Sequence, residues 1–315
     1  MTITCPLCAS TRSTLFDQRS FRQTLVSNRE CLECGLVYQS PHMSDQELEA
    51  FYEEEYRQVY QGSQGPNPKD LAVQTGRAEA LLAFTQKSIP EINAHLDIGC
   101  SAGLLLERFQ QAYTCQSVGV EPGTAYRNYS QARGLTVFAS LGELQGGLSS
   151  QAAATRFDLI SLAHVLEHIP DPKTYLANLR QEWLSDSTQP PGCTQPPGWL
   201  LVEVPNLYGH DSFEIAHLVS YSPHTLDQML QQAGFQIIAR QVHGQPRSEL
   251  IPLYITVLAQ ARQNENPLQS HVIPERGVKR KRRAALLRRS LVTRLAPHKA
   301  WLPFPVVLNR PSETQ

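Results

Sequence analysis

The eight residues Leu96–Gly103, LDIGCSAG, constrain the fold of this 315-residue chain more than any other stretch. Apolar residues, broken by an acid at Asp97, run into a glycine-bearing turn, and LLLERF follows with helical character. That order reads as a strand, a tight loop and a helix start. Glycine in such a loop lets a ligand come close to the backbone. The helix N-terminus adds unpaired N–H groups and the positive end of a dipole. A nucleotide-type cofactor site is therefore expected here.

The dinucleotide fingerprint G-x-G-x-x-G is a poor match, because the glycines are Gly99 and Gly103 with Ser101 between them. An acid at the strand end would also repel a pyrophosphate. It suits a positively charged cofactor, and S-adenosylmethionine carries both a sulfonium and an ammonium group.

The flanking sequence predicts an α/β core. Strands are expected at 94–98, 117–121, 135–139, 157–162 and 199–204, with helices at 103–112, 124–133 and 171–184 between them. This alternation implies a parallel sheet. A helix at 223–233 ends at Gly234, and strands at 235–242 and 253–259 close the core. Ser44 and Glu47 form a capping box for a helix at 44–56, Gly62–Pro68 reads as a linker, and residues 69–88 read as helical. Ser185–Gly198 is a Pro/Gly-rich insertion read as solvated spacer. The expected organisation is residues 1–43 as a Cys-bearing module, 44–68 as a connecting helix and linker, 69–262 as the cofactor domain, and 263–315 as a basic tail.

At this point the chain resembles the class I S-adenosylmethionine-dependent methyltransferases. LDIGCSAG is similar to their first motif, D-x-G-x-G-x-G. VGVEPG, 118–123, is similar to their second acidic position. FDLISLAHVLEHIPDP, 157–172, is similar to their fourth strand and following loop. The resemblance covers about residues 70–260 and implies a Rossmann-like, seven-stranded, mostly parallel sheet. It also implies that Asp97, Gly99, Ser101 and Gly103 shape the methionine end and that Glu121 takes the ribose hydroxyls. Ser161–His164 would line the methionine side. Ser101 stands where the motif has glycine.

Cys5-x2-Cys8 and Cys31-x2-Cys34 are two knuckles 22 residues apart. Four thiolates at this spacing suit a closed tetrahedral metal site, which staples a segment too small for its own core. Zinc is expected, with iron the alternative. Cys100, Cys115 and Cys193 are read as unrelated to the metal. CLECGLVYQSP followed by FYEEEY resembles a subgroup of the same methyltransferases. Its members carry an N-terminal zinc ribbon and include enzymes that methylate nucleotide-linked sugars on carbon. The resemblance makes Tyr52 and Tyr56 candidates for cofactor or substrate contact, with packing of an aromatic face as the alternative.

Methyl transfer to a hydroxyl or a carbon acid needs a proton acceptor, and histidine titrates in the useful range. His217, in FEIAHLVSYSPH, is the first candidate by resemblance to the sugar-methylating group, with Glu214 and Tyr221 expected beside it. His164 and His168 follow the fourth strand and are the other candidates. Asn206, just after the fifth strand, is expected to contact the acceptor or to cap its turn.

Net charge is −1, but Arg276–Arg294 holds nine Lys/Arg and no acid, so the remainder carries 19 basic and 29 acidic residues. Within the tail, Leu287, Leu291 and Leu295 form an i, i+4, i+8 line. A disordered tail, or one folded back on the acidic body, is expected ahead of peripheral contact with a membrane or nucleic acid. No run of 18 apolar residues exists, and MTITCPLCAS lacks the order of a signal peptide, so a cytoplasmic location is expected. The functional expectation is a small-molecule methyltransferase acting on carbon or oxygen. RNA methylation and a non-catalytic binding module are the alternatives. Residues 1–45 carry four Arg against four acids, which is not the basic face that nucleic acid requires.

Overall fold

A computed structural model describes residues 4–21, 24–51, 65–151, 156–184, 197–211, 213–262 and 271–303. In chain order the strands are β1 (Ser13–Phe21), β2 (Thr24–Cys31), β3 (Val37–Gln39), β4 (Ala94–Ile98), β5 (Gln116–Val120), β6 (Thr136–Phe138), β7 (Leu159–Ala163), β8 (Trp199–Pro205), β9 (Val219–Ser220), β10 (Phe235–His243) and β11 (Tyr254–Ala261). The helices are α1 (Asp45–Ala50), α2 (Pro68–Thr85), α3 (Leu104–Tyr113), α4 (Thr124–Ala132), α5 (Leu141–Gln151), α6 (Pro172–Glu182), α7 (Pro223–Gln232), α8 (Val278–Leu295) and α9 (Pro297–Ala300). A 3-10 turn, Leu166–His168, follows β7.

Seven strands form the main sheet in the order β10-β11-β8-β7-β4-β5-β6. The run from β8 to β6 is parallel, and β11 enters antiparallel between β8 and β10. Alternate strand residues feed two cores. Leu96, Ile98, Ile160, Leu162, Leu200 and Val202 face one layer, and Leu159, Leu201 and Leu258 face the other with Ala78, Leu81 and Phe109. A sheet buried on both faces by βα crossovers reads as continuous apolar runs, as these strands do. Chain order reverses direction at β4: β5 and β6 lie to one side, β7 and β8 to the other. Ligands bind at such a switch point, beyond the carboxyl ends of the strands.

The core elements lie within a few residues of their expected positions. The N-terminal strands and α5 were not anticipated. β1 and β2 form an antiparallel hairpin with a register shift between Leu15 and Asp17, and β3 pairs β9 antiparallel, Val37 opposite Ser220 and Tyr38 opposite Val219. This second sheet joins the Cys-bearing module to the main body. Cys5, Leu7, Cys34, Leu36 and Tyr38 share one hydrophobic core with Leu218, Val219 and Tyr221. α1 opens with the expected capping box, in which the Ser44 and Glu47 side chains satisfy each other's backbone N–H groups. Tyr52 and Tyr56, residues 62–64 of the linker, the spacer at 185–196 and Cys193 lie outside the described residues, and at the linker's end Asn67 caps α2 and Pro68 opens it.

The basic tail folds back as α8. Arg282 is buried, donates to the carbonyls of Leu207 and His210 (2.8 Å for the latter), and lies 4.5 Å over the Phe213 ring. Arg289 donates to the Gly209 carbonyl. Leu287, Leu291 and Leu295 remain on the outward side, 68%, 57% and 83% exposed. The i, i+4, i+8 leucine line therefore does not make the contact with the body. Instead the arginine face docks, because the 207–211 loop presents unpaired carbonyls to it. No described helix is long and apolar enough to cross a membrane.

Candidate active site

β4 ends in Asp97–Ile98, and the loop that follows turns sharply. Gly99 has φ +72°, and a Cβ there would lie 2.5 Å from Val165 Cγ2. Gly103 caps α3 at φ +73°. Ser101 also holds a positive φ, +52°, where an L-residue with a side chain is strained. The strain is held from both sides: the Ser101 N–H donates to Glu121 Oε2 (2.9 Å), and its carbonyl accepts from Ser130 Oγ (2.9 Å). Glu121 Oε1 accepts from the Gly123 N–H at 2.9 Å. Each carboxylate oxygen has a second acceptor site, so Glu121 can still take hydroxyls.

Asp97 is 2% exposed and accepts a 2.6 Å hydrogen bond from Ser161 Oγ. Ser161 is fully buried behind it and in turn meets His95 Nε2 at 2.9 Å, with His95 stacked on Phe109. Ser161 therefore orients Asp97 and does not itself line the cleft. Burial holds His95 neutral, down to about 3. Burial pushes the Asp97 carboxyl up to about 7; the Ser161 hydrogen bond opposes this and the Glu121 charge adds to it.

These residues open into a cleft of about 700 Å³ over the switch point. At one end it is lined by Asp70, Gln74, Asp97, Gly99, Ser101, Glu121 and Leu141. At the other it is lined by His164, His168, His210, Glu214, His217 and Tyr254. Gly103 is outside the lining and acts through the loop's shape. A ligand laid along the cleft would run from a carboxylate end to a histidine end.

The histidine end rests on two buried carboxylates. Glu203, on β8, accepts from Arg77 Nε (2.9 Å) and Thr256 Oγ1 (3.0 Å), and meets His243 Nε2 at 3.3 Å. Burial alone would raise its pKa, but His164, His243 and Arg77 hold it well below the carboxylate range. Glu167, in the 3-10 turn, is 1% exposed, and among the described residues neither side-chain oxygen accepts a well-formed hydrogen bond. Burial opposes its charge, yet the surrounding imidazoles bring it down to about 2. His164 holds φ +60° and spans the two acids, with Nδ1 3.3 Å from Glu167 Oε1 and Nε2 3.4 Å from Glu203 Oε1. His168 sets Nδ1 against the Ala216 carbonyl at 2.8 Å, and its ring centroid lies 5.0 Å from that of His217. Burial pushes His217 down to about 3 and His210 down to about 4.

The structure thus gathers the three sequence-predicted histidines at one end, with Glu214 Oε2 3.7 Å from His217 Nε2. It does not bring Asn206 or Tyr221 to the cleft wall. Asn206 is 2% exposed, donates to the Pro252 carbonyl and accepts from the Tyr208 N–H, so its amide closes the turn after β8. Tyr221 is fully buried in the core. For Asn206 the alternative reading, a cap on its turn, is the one the structure bears out; Tyr221, proposed from the sequence as a neighbour of His217 and a substrate contact, packs in the core instead. His95, Arg77, Glu203, His210 and Tyr254 escaped the sequence reading. His95 and Asp97 share one face of β4, and that period of two was the available signal.

The four knuckle cysteines converge. Cys5 Sγ and Cys34 Sγ are 3.5 Å apart, as are Cys8 Sγ and Cys31 Sγ, and all four sulfurs lie within 4.8 Å of one another. Sulfurs on a tetrahedral ion at a metal–sulfur length of about 2.3 Å stand about 3.8 Å apart, so the cluster is compatible with a zinc ribbon. Cys100 and Cys115 are buried elsewhere.

A mostly parallel seven-stranded sheet with an acid-tipped first strand and a cleft at its switch point defines the class I S-adenosylmethionine-dependent methyltransferase fold. The chain belongs to the methyltransferase-domain family, whose profile, described as "Methyltransferase domain", matches residues 73–240, more than half of the sequence. The "Ubiquinone biosynthesis O-methyltransferase" of Actinobacillus pleuropneumoniae serotype 7 is 30% identical over 90 residues, 27% of this chain and 38% of that protein. The protein of the same name from Hahella chejuensis is 30% identical over 84 residues, 26% of this chain and 35% of that one. The matched region thus spans under two fifths of these relatives' length. The Burkholderia thailandensis 1,6-didemethyltoxoflavin-N1-methyltransferase, solved with 1,6-didemethyltoxoflavin and S-adenosylhomocysteine, superposes with a TM-score of 0.52. Its identity is 16%, over 78% of this chain and 99% of that one, and the likeness is one of fold.

Proposed function

We propose that this chain transfers a methyl group from S-adenosylmethionine to an oxygen or carbon atom of a small molecule. The observation that carries the reading is the single cleft joining Asp97 and Glu121 at one end to the histidine cluster at the other. The donor set fits the cofactor. Among the described residues no cation pairs with the buried Asp97 carboxylate, which matches a positively charged methionine end. Glu121 matches a ribose diol, and Gly99, Cys100 and Ser101 line the cleft beside it. When bound, the cofactor supplies the methyl group and a neutral thioether leaving group.

The residues of this chain then position the acceptor and handle its proton. Displacement needs the nucleophile in line and close, which a walled cleft provides. His164 is proposed as the proton acceptor, because an imidazolium formed there would stand between Glu167 and Glu203. His217 and His168 line the same end and are proposed to orient the acceptor. The names of the O-methyltransferase relatives favour oxygen as the acceptor atom. The four cysteines are proposed to hold structural zinc. Through β3 and β9 the ribbon braces the segment that carries His217, since Gln39 N donates to the Leu218 carbonyl and Leu218 N to the Glu167 carbonyl, each at 2.8 Å.

Calorimetry tests the cofactor assignment. Wild-type protein should bind S-adenosylmethionine, and Asp97→Ala should weaken it at least tenfold. Absence of binding to wild type, or undiminished binding to the variant, would overturn the reading. A screen of hydroxylated small molecules for S-adenosylhomocysteine release then identifies the acceptor.

A further inference from the structure

The 3-10 turn after β7 and the segment before β9 place three potential ligands together: Glu167, His168 and His217, whose donor atoms all lie within 4.8 Å of one another. We propose that these three side chains form a metal site, separate from the cysteine cluster, that holds a first-row divalent cation at the acceptor end of the cleft.

Three features support it. Glu167 is 1% exposed, and among the described residues neither of its oxygens accepts a well-formed hydrogen bond. Met only by imidazoles at 3.3 Å and beyond, its oxygens keep acceptor capacity that a cation can use. Second, the ring of His168 is already oriented. Its Nδ1 faces the Ala216 carbonyl at 2.8 Å, an atom that can only accept, so Nδ1 carries the proton and Nε2 keeps its electron pair. Nε2 lies 3.9 Å from Glu167 Oε1. Metal-ligating histidines characteristically donate their other nitrogen to a backbone carbonyl in this way. Third, the His217 ring stands beside that of His168, its centroid 5.0 Å away, so both imidazoles can reach one ion.

Two imidazoles and one carboxylate suit manganese, iron, cobalt or zinc ions better than magnesium or calcium. His168 and His217 both line the cleft, so an ion here would keep coordination positions toward it. His164 contacts Glu167 and would retain Glu203 as its partner when a cation takes that carboxylate. The proposed use rests on the reading of this end as the acceptor site. There the ion would draw an acceptor hydroxyl or carbonyl oxygen into register and lower the pKa of a hydroxyl.

The ribbon provides an internal contrast, because manganese avoids thiolates whereas cobalt colours them. The test is a manganese titration of the full-length, zinc-loaded protein followed by electron paramagnetic resonance. One bound manganese per chain is expected. Affinity should fall at least tenfold in Glu167→Gln and in His217→Ala, since even outer-sphere changes cost 10–100-fold. Calorimetry with S-adenosylmethionine reports whether each variant keeps its fold. Cobalt added to wild type should give weak nitrogen/oxygen-type bands apart from the intense thiolate bands, which serves if a variant does not fold. Failure of wild type to bind manganese or cobalt outside the thiolate site would overturn the proposal, as would equal affinity in folded variants. If manganese binds while S-adenosylmethionine does not, the methyl-transfer reading fails alone.

Discussion

Replacing Asp97 with asparagine should make the cofactor-free protein more stable and the cofactor-bound protein less so. Asp97 is 2% exposed, and burial raises its carboxyl from 3.8 to about 7, roughly three pKa units. At about 1.4 kcal/mol per unit, ionising it in the folded state costs up to about 4 kcal/mol. The folded state of an acid with a raised pKa holds its proton more tightly than the unfolded chain. The wild type therefore loses stability as pH rises from about 4 to about 7, and the deficit stays constant above that. Asparagine keeps the shape and the hydrogen bond from Ser161 but carries no charge. Asp97→Asn should match the wild type near pH 4 and exceed it by roughly 2–4 kcal/mol at pH 8, about 3–6 °C in melting temperature for a chain of this length. Saturating S-adenosylmethionine should reverse the order, because bound ligand stabilises only the protein that binds it. Wild-type affinity should also fall up to tenfold per pH unit below about 7, where Asp97 must lose a proton to bind. Thermal melts at pH 4–8 with and without cofactor, and calorimetry across the same range, measure both effects. A variant no more stable than wild type at pH 8, or affinity flat between pH 8 and 5.5, would refute the argument.

Glu203→Leu should destabilise the protein by about 3–5 kcal/mol in denaturant melts, because Arg77 then loses the carboxylate that compensates its burial. Arg282→Ala should release α8 from the 207–211 loop at a cost of about 1–3 kcal/mol, since two carbonyls lose a charged donor; limited proteolysis would show faster cutting within 278–295. Cys34→Ser should abolish zinc in elemental analysis. It should also speed hydrogen exchange at residues 37–39 and 217–220, where β3 holds β9.

Some of this protein was decided locally. A strand, a glycine turn and a helix start are set by neighbouring residues, so LDIGCSAG declared the sheet, the loop and the acid at its tip. VGVEPG and the two CxxC turns did the same for Glu121 and the thiol cluster. The capping residues Ser44 and Ser222 marked helix starts for the same reason. The tertiary structure decided what depends on distant partners. Asn206 looks exposed at a strand end until β11 covers it, and Tyr221 sits near His217 in sequence yet packs in the core. Arg77 and Glu203 are 126 positions apart, and only the sheet joins them as an ion pair beneath His164. A tail folded back on the acidic body was an expected alternative, but which face docks was not legible: it is the one with arginines that match the carbonyls of a loop 70 to 80 residues away. Sequence pattern records which residues share a face. Which face meets which partner, and which buried charge is thereby paired, is fixed only when the whole chain closes.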